Sequence, residues 1–182
     1  MSDPFRQAWI DDIRARFQAT KASADRALEQ VGDEAFFERI SEESTTLAEI
    51  VKHMAGNMRS RWQDWLTTDG EKPDRDRDNE FVIGPEDTRP ALMERWEASW
   101  ALAFDELGKL SPDDLDRTIA IRGQPHSICE ALHRQVAHLN QHAGQIVFLA
   151  RHLAGGGWKT LTIPRGGTEA FNAAMARKFS NQ

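Results

Sequence analysis

Two histidines four residues apart, His138 and His142, form the pair in this chain with the plainest chemical meaning. On an α-helix that spacing stacks two imidazoles on one face, within reach of a common ion. The chain has six histidines among its 182 residues. In such a chain a pair at this spacing arises by chance roughly one time in six, so the spacing serves equally well two imidazoles hydrogen-bonded to their neighbours. His53 is the natural third member. Counted at about 100° per residue, His53 and the His138/His142 pair each lie to one side of the apolar stripe of their own helix. Positions flanking a stripe can face a cleft between two helices, so the geometry permits a three-histidine site without demanding it. His126, His133 and His152 do not share the face of the pair and read as ordinary hydrogen-bonded histidines.

Other residues have weaker claims. Gln145 falls close to His138 on the helical wheel and has the reach to bind a metal-bound water or a ligand carboxylate, or to tie two helices together. Asn57 and Glu49, one turn either side of His53, are placed to orient its imidazole or to face water. Arg165, stiffened by Pro164 and followed by two glycines, offers a fixed cation for an anionic substrate group if its segment folds over the cleft. The alternative is that the tail simply packs on the bundle. Cys129 lies in the first turn of a helix, where a thiol pKa can fall, but nine residues before His138 it reads as a small buried residue. No Ser-His-Asp arrangement, Gly-rich phosphate loop or paired-carboxylate motif stands out.

The elements that must hold these residues are helical. Asp3 as N-cap and Pro4 at the first position begin a helix over residues 4–31, with Phe5, Trp9, Ile13, Phe17, Ala24, Leu28 and Val31 on its apolar side and Gly32 as its stop. The capping box Thr46-x-x-Glu49 opens a second over 46–66. Pro90 starts a third, carrying Leu92, Trp96, Trp100, Ala103 and Leu107. Ser127-x-x-Glu130 starts a fourth, closed by Gly155-Gly156-Gly157. Between the last two, Thr118-Ile119-Ala120-Ile121-Arg122-Gly123 alternates like a strand but has no evident partner, and reads as an extended connection. Asp74-Arg75-Asp76-Arg77-Asp78 reads as a solvated loop. The tail runs extended before a short helix around 168–179. An all-α four-helix bundle spanning 1–182 as one domain is the expectation.

Composition narrows the function. A formal charge of −6 repels a phosphate backbone, which argues against nucleic acid as partner. Crossing a bilayer takes about 20 consecutive apolar residues, which this chain lacks, and its first residues carry no secretory signal pattern, so no membrane association and a cytoplasmic location are expected. The lone cysteine excludes an intramolecular disulfide. Trp62, Trp65, Trp96 and Trp100 at helical spacing point to core or dimer contacts, and their number on two helices suggests a homodimer.

Four stretches give the chain a resemblance to a known family: Ile50-Val51-Lys52-His53-Met54-Ala55-Gly56-Asn57, Arg75-Asp76-Arg77-Asp78-Asn79-Glu80-Phe81, His138-Leu139-Asn140-Gln141-His142-Ala143-Gly144-Gln145 and Ile163-Pro164-Arg165-Gly166. The sequence resembles the DinB-like superfamily of YfiT-like metalloenzymes, in a branch marked by the Ile-Pro-Arg-Gly tail. The resemblance implies a four-helix bundle in which His53, His138 and His142 bind one divalent ion, nickel or zinc, with water in the open positions. It further implies a metal-dependent enzyme acting on a small-molecule substrate, with thiol-dependent transfer using a low-molecular-weight thiol as the leading chemistry. Metal-dependent hydrolysis and a non-catalytic metal-binding or dimeric interaction role are the alternatives. Gln145 and Arg165 are then the residues positioned to act beside the ion.

Overall fold

The computed structural model describes residues 3–180. Four long helices dominate it: α1 (Pro4–Leu28), α3 (Leu47–Trp62), α4 (Arg89–Lys109) and α5 (Ile128–Ala154). A single-turn helix, α2 (Asp33–Phe36), and a terminal helix, α6 (Thr168–Phe179), complete the set. The starts lie where local side-chain chemistry puts them. Asp3 accepts from the Phe5 N–H, and both Thr46 and Ser127 form complete capping boxes with Glu49 and Glu130. Such boxes satisfy N–H groups that a helix start leaves without partners. The ends are less local. α1 stops at Leu28, short of Gly32, because Arg89 donates to the carbonyls of Leu28 and Val31 from across the bundle. Arg14 likewise donates to Leu107, Gly108 and Leu110 at the end of α4. Long-range arginine caps of this kind replace the αL glycine as a means of satisfying orphan carbonyls. α3 also ends early, at Trp62, and the chain then turns through Asp64 at φ 48°.

α1 packs along α5 and α3 along α4, while α3 also meets α5. The interior is aromatic: Trp62, Trp96, Trp100, Phe17 and Phe36 are fully buried. Trp96 Nε1 donates to Asp25 at 2.9 Å, joining α4 to α1. Because Trp62, Trp65, Trp96 and Trp100 all lie inside the monomer, they provide no surface for a dimer, and the sequence argument for a homodimer loses its premise. Gln135 on α5 donates to Asn57 on α3 at 3.0 Å, pinning the two helices beside the histidines.

The segment expected to be a lone extended connection is one arm of a hairpin. β1 (Thr118–Ile121) pairs antiparallel with β2 (Gln124–Ser127), with Thr118 opposite Ser127 and Ile121 opposite Gln124. Arg122 and Gly123 occupy the two-residue turn at φ 55° and 73°, the positive-φ geometry that matches the twist of paired strands. Asp69 accepts from both turn N–H groups, at 2.8 and 2.7 Å. Ile119 and Ile121 point into the core. Among the described residues no helix is long and apolar enough to cross a membrane.

Candidate metal centre

His53 comes from the middle of α3, and His138 and His142 from the middle of α5, where these helices face each other. One ring nitrogen from each of the three lies within 4.8 Å of those of the other two. Two nitrogens on a tetrahedral ion at ordinary bond lengths are about 3.4 Å apart, so small ring rotations close the set. His53 is buried and the other two are half-buried.

Each ring has a defined environment. His53 Nδ1 lies 2.8 Å from Glu80 Oε2, so Nδ1 is the donor to that carboxylate and Nε2 is the nitrogen left available to an ion. Phe81 stacks on the same ring, centroids 4.6 Å apart at 26°. His142 Nδ1 lies 2.7 Å from Gln145 Oε1, which fixes that tautomer in the same way. His138 Nε2 is buried without a hydrogen-bond partner. A buried polar atom ordinarily finds a partner, and an ion held with the other two histidines would supply one. Burial, followed by the neighbouring histidines His142 and His53 and then Arg61 and Arg75, pushes the His138 imidazole down to about 3. Burial also lowers His142, against the opposing effect of its hydrogen bond to Gln145 Oε1. Both rings are therefore neutral at physiological pH, the state a metal ligand requires.

The support behind His53 was not legible from spacing. Neither Asn57 nor Glu49 orients it: Asn57 accepts from Gln135, and Glu49 completes its capping box and pairs with Arg39. Glu80, in the 3₁₀ turn Asn79–Phe81, takes that role. Burial alone would raise the Glu80 carboxyl, but its bonds to His53 and to Arg75 outweigh this and hold it below the usual carboxylate range. Arg75 grips both Glu80 oxygens, at 2.8 and 2.9 Å, and also reaches Glu71. Its side chain is 3% exposed, so the mixed-charge run is solvated in part only: Arg75 turns inward because a buried carboxylate needs a bidentate partner.

Gly56, one turn beyond His53, is what lets Glu80 approach. A Cβ there would stand 2.8 Å from Glu80 Cδ, and Glu80 is clamped on both sides. Gly56→Ala is expected to displace Glu80 and weaken divalent-metal affinity about 10–100-fold, the usual cost of losing a ligand's outer-shell partner. The helix itself favours Ala over Gly by about 1 kcal/mol, but moving the buried Glu80 carboxylate off Arg75 costs more, so the metal-free protein should also lose thermal stability. Metal titration beside thermal unfolding checks both, and unchanged metal affinity would remove Glu80 from the site.

Gln145 is near the centre, but it serves His142 and is exposed. Arg165 is elsewhere. The chain that leads to it is held by Arg26 on α1 and by Gln30 just past the end of that helix, which bond the backbone of Leu161 and Lys159. Arg165 is exposed and does not line the cleft; the start of the tail, at Trp158 and Leu161, packs on the bundle. Five other arginines line the cleft: Arg61, Arg75, Arg77, Arg122 and Arg134. Arg134 was within reach of sequence reasoning, since it precedes His138 by four residues on one helix and so shares its face. Burial raises the Cys129 thiol above its ordinary value, and Cys129 is not among the cleft residues. His133 packs edge-on against Trp9, centroids 5.4 Å apart, away from the cluster.

An all-α bundle with a three-histidine cluster between its second and fourth long helices is thus the kind of protein that fold and site define. The chain belongs to the family described as "Protein of unknown function (DUF1572)", which matches residues 4–167. No curated protein matches the chain.

Proposed function

We propose that His53, His138 and His142 hold one divalent metal ion, nickel or zinc, and that the protein is a metal-dependent enzyme of the DinB-like kind, acting as a transferase that uses a low-molecular-weight thiol. The observation that carries this is the convergence of three imidazoles on one point, two with Nδ1 already committed to an acceptor and the third with a buried nitrogen that has no protein partner. Three protein ligands leave coordination positions open, as catalytic ions require, whereas structural zinc is usually closed by four. When bound, such an ion lowers the pKa of a coordinated thiol, so that thiolate, the reactive form, exists at neutral pH.

The chain's own residues take the other tasks. Glu80 and Gln145 hold two imidazoles in the ligating tautomer, and Phe81 fixes the plane of His53. The α3–α5 contact at Asn57 and Gln135 sets the distance between the two halves of the site. With all three imidazoles used as ligands, the cleft lining holds, among the described residues, no other His, Asp or Glu to act as general base. Transfer by a thiol that is already ionised fits this best, because it needs no proton acceptor at the moment of attack. Metal-dependent hydrolysis uses the same three ligands and is the competing chemistry.

The test is to incubate metal-loaded protein with an electrophile such as a chlorodinitrobenzene or an epoxide, with and without bacillithiol, mycothiol, glutathione or cysteine. Turnover that needs both thiol and metal is the expected result. Turnover with water alone would establish hydrolysis in its place, and none with any pair would leave a metal-binding or interaction role.

A further inference from the structure

The cleft beside the histidines is rich in arginine, and its exposed members Arg77, Arg122 and Arg134 give it a cationic side that faces solvent. Arg61, Arg75, Arg77, Arg122 and Arg134 all line the cleft, and among the described residues no Asp or Glu does. This is a concentration of positive charge in a chain whose formal net charge is −6. Part of it is internally matched. Arg75 is locked to Glu80 and Glu71, and Arg61 bonds Glu71 and the Gly70 carbonyl. The rest is in surplus. Arg122 lies 3.4 Å from Glu71, a carboxylate that Arg61 and Arg75 already share. Arg77 lies 3.8 Å from Asp78, whose side chain is 98% exposed, so that contact is weak. Arg134 has no hydrogen bond or ion pair among the described residues, and it stands one helical turn from His138.

The backbone at Arg122 makes the same point. It occupies a positive-φ position of the hairpin turn that favours Gly, Asn or Asp. The Asp69 carboxylate holds it there through two backbone N–H groups, so the turn carries a long cation toward the cleft where a smaller residue would be less strained. Residues kept in unfavourable backbone conformations cluster at binding and active sites.

We infer that this open side is an anion subsite, and that the substrate is a small molecule carrying at least one carboxylate or phosphate group. Arg122 and Arg134 grip that group with Arg77 alongside, while the reacting end of the molecule reaches the histidines. The second half of this statement rests on the metal reading above. The first half stands on the arginines alone. Guanidinium recognises both oxyanions through paired N–H donors, and within a partly enclosed cleft such bonds are stronger than on an open surface.

The test uses the full-length protein, as purified and after chelation, with metal content measured on each sample. Inorganic phosphate and succinate are titrated by calorimetry at low ionic strength, with neutral glycerol as comparison. Saturable 1:1 binding of at least one anion, persisting after chelation, is expected, with the tighter anion naming the class. Loss of about tenfold for each charge-assisted bond removed predicts about 100-fold weaker binding in Arg122→Gln/Arg134→Gln. Arg122→Lys/Arg134→Lys, which keeps the charge but not the paired donors, should recover part of it. Both positions are exposed, so unfolding midpoints should match wild type. No anion binding to wild type, or equal binding by the Gln variant, overturns the subsite. Anion binding by wild-type protein that is purified without metal and takes up neither nickel nor zinc when these are added keeps the subsite and overturns the metal reading; metal without anion does the reverse.

Discussion

Replacing His138 and His142 together by alanine is expected to reduce bound metal from about one ion per chain to less than about a tenth, measured by elemental analysis of protein purified without an affinity tag. Two of three ligands go at once, and His53 with Glu80 behind it cannot hold a divalent ion alone. The fold should survive, because both rings sit at the flank of α5 and not among Leu132, Leu139, Ala143 and Ile146, which form its buried stripe. Removing His138 also removes a buried nitrogen that has no protein partner, so the metal-free double variant should unfold at or near the wild-type temperature. Metal loss with an intact fold is the signature of a ligand pair. Metal retained in full would mean that the ion binds elsewhere.

The largest effect on stability is expected at Trp100. It is fully buried and sits in an aromatic chain with Phe17, Trp96 and Phe104, at centroid separations of 6.4, 5.5 and 5.6 Å. Trp100→Ala leaves a cavity that the surrounding rings cannot fill, at a cost of about 3–5 kcal/mol. At about 2–4 °C per kcal/mol for a chain of this size, the unfolding midpoint should fall by about 6–20 °C. Trp100→Phe should cost much less, because the indole Nε1 is buried without a partner and its removal deletes an unsatisfied donor. Denaturant or thermal unfolding of both variants checks the contrast. Equal losses would mean that Nε1 is satisfied in solution.

What could be read from the sequence follows the range of the interactions that produce it. The starts of α1, α3 and α5 rest on side chains that bond two or three residues away, and Asp3, Thr46 and Ser127 announce them. The short helix at 168–179 was legible for a similar reason, since a run of good helix formers follows two glycines. Helix ends were less so, because Arg89 and Arg14 cap from far along the chain. The hairpin was half visible: β1 alternates, whereas Gln124-Pro125-His126-Ser127 has no strand pattern and is recruited by the turn that Asp69 stabilises.

At the site, the helical wheel placed His53, His138 and His142 at the flanks of two apolar stripes, where the structure has them. It placed Gln145 beside them as well, though as a partner for His142. Glu80 lies 27 residues from His53, and no periodicity connects a helix to a 3₁₀ turn at that distance. Arg75 was hidden for a different reason. Its neighbours Asp74 and Asp76 are exposed, so the charge pattern of the run suggests solvent at the one position that turns inward. Arg165 is the opposite case: a stiff, cationic, glycine-flanked segment suits a lid, yet Arg26 on α1 and Gln30 just past its end hold the chain ahead of it, at Leu161 and Lys159, and Arg165 does not line the cleft.

The account stands or falls on one divalent ion held by three imidazoles. X-ray absorption at the metal edge of nickel-loaded wild-type protein tests this most directly, because imidazole rings give a characteristic outer-shell scattering that counts them. Three histidine nitrogens at about 2.0–2.1 Å, with oxygen filling the remaining positions, is the predicted result. A shell of oxygens with no imidazole scattering, or a spectrum that is the same in the His138→Ala/His142→Ala variant, would contradict it.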